Sequence, residues 1–319
     1  MRKHIISKWL LMAVATVVTA CSSDKDELFL PQEAPVPVLF TATDDDATTR
    51  ANEERMTSPQ MVAQAGGFGV FTYYSNGNGA TDGAYGSPAT TANFMHNQLV
   101  TGTNAVDPVW TYTPLKYWPN ETGATAKSNH VDKLSFFAYA PYIAAGTTYN
   151  ITGFSPANFV GDPWVTYNSP SNLPGYDLVY AKAVNQVKPT LTDKVTLDFA
   201  HALAALSFEI VDDAGLDLQK LEVFGWKGGI QTAGKLNLYT GDWSEITTKT
   251  DKTEVVFVKE EDPLPATGGN WKVIPGDDQE FFVRITFKDA NGDMKVIPEM
   301  PFKEDFEAGK NKIIKLTIP

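Results

Sequence analysis

Short runs of β-branched and aromatic residues recur along the chain, each closed by glycine, proline, asparagine or aspartate. That rhythm predicts strands rather than helices. It places them at Val36–Ala42, Phe68–Tyr74, Val109–Thr113, Lys133–Tyr139, Trp164–Tyr167, Leu178–Ala181 and Lys194–Phe199. Further strands are predicted at Leu206–Val211, Leu218–Phe224, Lys235–Tyr239, Glu254–Lys259, Lys272–Ile274, Glu280–Lys288, Met294–Pro301 and Lys312–Ile318. Many short strands with frequent turns predict an all-β fold of sandwiches. Asn291-Gly292 lies between two of the strands and predicts a hairpin, because both residue types tolerate positive φ. Ala202–Leu206 is helix-like in composition, but its continuation Ser207–Val211 alternates, so it is read as strand. The polar stretch Asp44–Gln60 has no apolar periodicity and predicts an exposed loop. Lys182–Asp193 is polar and predicts a boundary between a domain at 36–190 and another at 191–319.

The first twenty residues follow a different pattern. Arg2, Lys3 and Lys8 precede the apolar run Trp9–Val18, which is the length of a signal-peptide core and too short to span a bilayer. Small residues Thr19 and Ala20 lead into Cys21. Val18-Thr19-Ala20-Cys21 resembles the lipobox of bacterial lipoproteins, in which the new N-terminal cysteine is acylated. An ordinary secretory cleavage site would also fit this pattern, but Cys21 is the one cysteine in the chain and stands at the cut. Residues 1–20 are therefore read as a lipoprotein signal peptide and 21–35 as an acidic linker punctuated by prolines. Ser22-Ser23-Asp24-Lys25-Asp26-Glu27 resembles the acidic signal that sends Bacteroidetes lipoproteins to the cell surface. The resemblance implies an outer-membrane precursor held by lipid, and a plain solvated tether fits the same residues.

Charge and chemistry narrow the function. The formal net charge is −12, and residues 1–20 hold three bases and no acid, so the chain from Cys21 carries −15. Such a surface argues against nucleic acid. His4 leaves with the signal, and His96, His130 and His201 stand apart from one another, without the spacing of a zinc site. No nucleophile elbow, phosphate loop or dinucleotide fingerprint is present. Asp289, Asn291 and Asp293 lack the glycine and distal glutamate of a calcium loop. No enzyme, cofactor or metal is expected. Trp110, Tyr112, Tyr117, Trp118, Tyr139 and Tyr142 have the chemistry to stack on sugars, yet they alternate with polar residues as a sandwich core does.

Four phrases in order carry a family resemblance. Pro114–Pro119 (PLKYWP), Leu134–Tyr142 (LSFFAYAPY), Asp198–Phe208 (DFAHALAALSF) and Ala308–Ile318 (AGKNKIIKLTI) resemble the fimbrillin-like family of Bacteroidetes. The resemblance implies two transthyretin-like β-sandwich domains in tandem and a structural role as a pilin subunit in a fimbria. It implies lipoprotein export, removal of the N-terminal segment with its first strand by an Arg-specific protease, and replacement of that strand by one from another subunit. The implied partners are other fimbrial subunits, the outer membrane through the precursor's lipid, and a host or bacterial surface ligand for adhesion. Thr49-Arg50-Ala51 lies in the predicted loop after Val36–Ala42, so cleavage between Arg50 and Ala51 would detach lipid and strand together. A solvated loop arginine is the alternative, and Arg55 is a weaker candidate because Glu53 and Glu54 crowd it. Cleavage after Arg50 would remove seven acids and two bases from residues 21–50, leaving −10. Ile314, Leu316 and Ile318 fall on one face of the last strand. They suit a donor strand or the last strand of their own domain, and periodicity alone permits both. The rival function is a monomeric surface lipoprotein that binds glycans.

Cys21→Ala is expected to abolish acylation and leave uncleaved or soluble precursor. Labelled palmitate still entering the variant would overturn the assignment.

Overall fold

In a computed structural model of the chain, the described residues are 35–44, 57–63, 66–75, 84–86, 91–103, 107–119, 132–143, 150–169, 176–189, 193–212, 217–225, 229–249, 253–255 and 267–317. The signal segment, the linker, His130, Arg50, Ala51 and Ile318 lie outside them. Pro35–Pro319 forms one compact unit. Its elements run β1 (Phe40–Asp44), α1 (Ser58–Ala63), β2 (Phe68–Ser75), β3 (Met95–Gly102), β4 (Trp110–Thr111), β5 (Lys133–Ala140), β6 (Ile151–Phe154), β7 (Trp164–Asn168), β8 (Val179–Val187) and β9 (Val195–His201). They continue as β10 (Ala204–Asp212), β11 (Asp217–Gly225), β12 (Ile230–Asn237), β13 (Trp243–Lys249), β14 (Thr253–Val255), β15 (Thr267–Val273), β16 (Gly276–Lys288), β17 (Met294–Phe306) and β18 (Asn311–Thr317). The chain is all-β, as its periodicity predicts, with one short helix among the described residues.

Four sheets carry the fold. The largest has the order β1-β9-β8-β5-β2-β3-β4, and a second has the order β13-β12-β7-β6. The other two are β15-β10-β18 and β14-β11-β16-β17. The centre of the seven-stranded sheet is buried on both faces. On β2 and β5, Phe68, Val70, Phe136 and Ala138 face one cluster, while Phe71, Tyr73, Phe137 and Tyr139 face another. Strands covered on both sides read as continuous apolar runs, which is why Leu134–Tyr139 shows little alternation. The first face is closed by Val36, Val38, Phe40 and Met61, the second by Ile151, Val165, Tyr167 and Leu236 of the four-stranded sheet β13-β12-β7-β6. A third cluster lies between the remaining two sheets. Leu206, Phe208, Trp271, Ile314 and Leu316 meet Leu221, Val223, Phe281 and Val283 there.

Residues after 190 return to the earlier sheets. β9 pairs with β1 and β8, and β12 pairs with β7. The polar stretch expected to separate domains is strand as far as Val187, because β8 pairs with β5 on one edge and shows mainly half-exposed residues beyond Ala181. Ser169 stitches the same region to the later sheets. Its hydroxyl donates to the Lys272 carbonyl at 2.9 Å and accepts from Trp271 Nε1 at 3.1 Å, all buried.

Other elements depart from the sequence reading. Part of the expected loop at 44–60 is helix, and α1 has a legible start. The Gln60 side chain accepts the Thr57 N–H at 2.7 Å, half of a capping box. β3, β6 and β13 are polar edge or near-edge strands with little periodicity to announce them. The β16–β17 hairpin is present, but only Gly292 of its Asn-Gly pair has positive φ. The Asp289 carboxylate accepts the Asn291 and Asp293 N–H groups instead, making a longer turn. Gly66-Gly67 leads into β2. A side chain at Gly67 would place its Cβ 2.0 Å from the Val100 carbonyl oxygen, so the close approach of β2 to β3 requires glycine there.

Ser169→Ala removes the shared partner of two buried groups and should cost about 1–3 kcal/mol per orphaned group. Because Ser169 ties the β7 region to β15, a single unfolding transition should move to lower temperature. Two separated transitions, one unshifted, would refute that coupling. A second expectation concerns alkaline pH. Burial is the main cause that pushes the phenols of Tyr73, Tyr85, Tyr139 and Tyr167 well above their ordinary 10.0, and that of Tyr112 up to about 12. Unfolded tyrosines ionise near 10 while these stay neutral, so their contribution is complete below pH 10 and is lost as pH rises beyond it. Urea midpoints should hold steady from pH 8 to 9 and fall from pH 10 upward, and a midpoint flat to pH 12 would contradict this.

Candidate assembly site

The first described strand is held in an unusual way. Val36 and Pro37 run antiparallel to Tyr117 and Trp118, with Trp118 N–H donating to the Val36 carbonyl at 2.8 Å and Val38 N–H to the Lys116 carbonyl at 2.9 Å. The chain then turns its other edge to β9. Val195 N–H donates to Leu39 O at 2.8 Å, and β1 runs parallel to β9 from Phe40↔Val195 to Asp44↔Phe199. At the far end the Thr43 hydroxyl donates to the Asp198 carboxylate.

Alternate side chains of this strand enter the core. Val36, Val38 and Phe40 are buried, with Ala42 packed behind them. The Phe40 ring meets Phe136 at 5.5 Å, Tyr112 at 5.7 Å and Phe68 at 6.2 Å. Burying three such side chains contributes roughly 1.5–3 kcal/mol each. The Tyr112 hydroxyl donates to the Val38 carbonyl at 2.9 Å, and burial pushes its pKa up to about 12. Without this strand, Phe68, Phe136, Trp118 and Phe199 would line an open apolar groove beside β9. Arg50 follows Asp44 by six residues but lies outside the described residues, as do Ala51 and Cys21.

The last strand is placed similarly. β18 is an edge strand running parallel to one neighbour, β10, with Phe208↔Ile314 and Ile210↔Leu316. Ile314 and Leu316 are buried in their own chain's third cluster, and Ile318 lies outside the described residues. Of the two roles that periodicity leaves open, the single chain therefore displays the intramolecular one. The outward face carries Ile313, exposed, and Lys315, paired with Glu209 at 3.2 Å, while Lys312, at the start of the strand on the Ile314 face, pairs with Glu304.

The aromatic residues considered for sugar stacking are mostly interior. Trp110, Trp118 and Tyr139 are buried, Tyr112 is spent on β1, and only Tyr117 is broadly exposed among the six. His96 and His201 serve structural bonds far apart in the fold. His96 Nε2 lies 2.8 Å from the Ser155 carbonyl, and His201 Nδ1 lies 2.5 Å from the Asp177 carboxylate in a buried pair. The sequence offered no sign of Asp177. Nor did it single out Tyr112 as the clamp on β1, since that tyrosine sits in an aromatic run whose members have different tasks.

Comparison with known proteins gives a consistent picture. No curated protein matches the chain. A fimbrial protein from Bacteroides vulgatus has the same fold at 17% identity and a TM-score of 0.61, over 88% of this chain and 95% of its own. A candidate cell adhesion protein from Bacteroides ovatus superposes with a TM-score of 0.54 at 15% identity, covering 89% and 93%. Another from Bacteroides uniformis reaches 0.50 at 19% identity, covering 91% and 94%. At these identities the likeness is one of fold. The profile described as fimbrillin-like matches residues 49–319, and the chain belongs to the fimbrillin-like family.

Proposed function

We propose that this protein is a structural subunit of a surface fimbria. It is exported as an outer-membrane lipoprotein held through Cys21, cut between Arg50 and Ala51, and polymerised by strand donation. It works by assembling with other subunits and presenting a surface to a host or bacterial ligand, without catalysis or cofactor. The observation that carries this reading is the placement of β1. One strand upstream of Arg50 fills a core groove with Val36, Val38 and Phe40, yet is joined by one short parallel ladder and a bridge to residues 116–118. A cut at Arg50 leaves such a strand free to depart, and polar sequence of the kind around Arg50 is where folded chains are nicked. The family match begins at residue 49, after β1, which accords with a body that functions without it.

The donor is β18 of a neighbour. Its alternation of Ile314, Leu316 and Ile318 matches that of Val36, Val38 and Phe40. Both strands are edge strands that run parallel to their one partner. Main-chain pairing along β9 supplies affinity, and the spacing of the apolar side chains supplies register. The glycan-binding alternative loses its support, because the aromatic platform it needs is largely buried.

Arg50→Gln should leave export and lipidation intact and stop maturation. Wild-type fimbriae should yield Ala51 as the subunit N-terminus. Fimbriae built from Arg50→Gln chains, with lipid-linked Cys21 in every subunit, would overturn the proposal.

A further inference from the structure

β1 and β18 lie far apart in sequence, yet they rest on consecutive strands. β1 runs parallel to β9 and β18 parallel to β10, and β9 and β10 are joined by only Ala202 and Leu203. The turn that carries β18 is bonded to that joint. Gly309 N–H donates to the Leu203 carbonyl at 2.8 Å, and Ala205 N–H donates to the Lys310 carbonyl at 2.8 Å. Gly309 sits on His201, the last residue of β9, closely enough that a Cβ there would be 3.4 Å from the histidine Cβ. His201 is fixed in turn by Asp177, and Ala202 N–H by the Leu178 carbonyl at 2.8 Å.

The pairing of β9 is uneven. Among the described residues, β8 pairs with it only at Val179↔His201 and Tyr180↔Ala200, whereas β1 pairs with Val195 through Phe199. The stretch leading into His201 therefore depends on β1 for its ladder bonds. The β18 turn is also loosely filled. It borders a cavity of about 370 Å³ lined by Ala204, Phe306, Lys310 and Asn311, among others. The Asn311 side-chain oxygen is buried there with no hydrogen-bond partner among the described residues.

We infer that the joint at 201–205 couples the two terminal strands, so that departure of β1 loosens the docking of β18 on β10. This rests on the strand-donation reading and adds its timing. An uncut precursor keeps its donor strand docked, and removal of β1 both opens the acceptor groove and frees the donor on the same subunit. Coupling of this kind is reciprocal, so a strand returned to the β9 groove should tighten β18 again.

Amide hydrogen exchange resolves local opening and so reads the coupling directly. The soluble Cys21→Ala precursor is compared uncut, as Phe40→Ala, and after an Arg-specific cut with the 21–50 fragment washed away. Exchange at Ile313–Thr317 should quicken tenfold or more in the last two, while Phe281–Phe287 of β16 stay as protected as before. A synthetic peptide of residues 35–50 added to the cut protein should restore protection. Val165→Ala, buried against β12 rather than β1, controls for general destabilisation and should leave Ile313–Thr317 unchanged. Unchanged exchange at Ile313–Thr317, in a sample whose β1 is loosened or gone, overturns the coupling. If such subunits still polymerise, strand donation stands without it. If exchange quickens and no polymer forms, the coupling stands and strand donation fails.

Discussion

Burial of the seven-stranded sheet on both faces is the constraint from which the rest of the architecture follows. β2 and β5 present large apolar side chains to each side, so neither side can be left to water. One face is covered by the sheet that holds β6, β7, β12 and β13. Among the described residues the other is covered by the segment from Val36 to Phe40, the helix α1 and the run from Trp110 to Trp118. One extended segment, one short helix and one irregular run thus close this face, where the opposite face takes a whole sheet to close. Aromatic side chains of the core, Phe68 and Phe136 among them, therefore lie directly against Phe40 of that segment.

The buried polar contacts show the same economy. Tyr73 donates to the Gly161 carbonyl at 3.0 Å, Tyr85 to Asp162 at 2.9 Å and Tyr139 to Asn97 at 2.7 Å, each phenol carrying a large ring into the core while its hydroxyl finds a partner at the rim. Tyr112 does so for the first strand itself. These bonds lock loops onto the central sheet and leave few buried polar atoms without a partner among the described residues.

How much of this was legible varies with the physics of each segment. Central strands such as Phe68–Ser75 and Lys133–Ala140 announce themselves by β-branched and aromatic content, and their extents were read nearly to the residue. β3, β6 and β13 carry sequences such as MHNQLVTG and WSEITTK, in which half-exposed positions dilute the alternation that identifies a strand. The α1 helix was hidden in a polar stretch although Thr57 and Gln60 spell its cap. For the assembly site, the alternation of the last strand gave its inward face, Ile314 and Leu316, but not the neighbour it packs on. Parallel pairing of the chain ends onto β9 and β10 is long-range, and no local pattern records it. The expectation at Cys21 is of the opposite kind, since a signal segment is a local code, and it lies outside the described residues.

Sheet edges are where a second chain could pair with this one. An unprotected edge invites pairing with another chain, and several of the edges among the described residues are blunted. β4 and β14 are two and three residues long. β17 carries Pro298 and Pro301, which withhold ladder donors, and is fastened by Arg284 to Glu299 and by Lys303 to Asp278. β13 is broken by two register shifts against β12, and its Glu245 sits at a φ of 51°. β6 is four residues long with a bulge of its own. β1 and β18 are spared prolines and bulges over most of their length and pair in parallel with a single strand. Their protection is conditional instead: each is safe while docked and becomes sticky when released. Of the remaining edges among the described residues, β15 pairs with β10 through a register shift, so β1 and β18 are the two edge strands whose ladders run parallel to one neighbour.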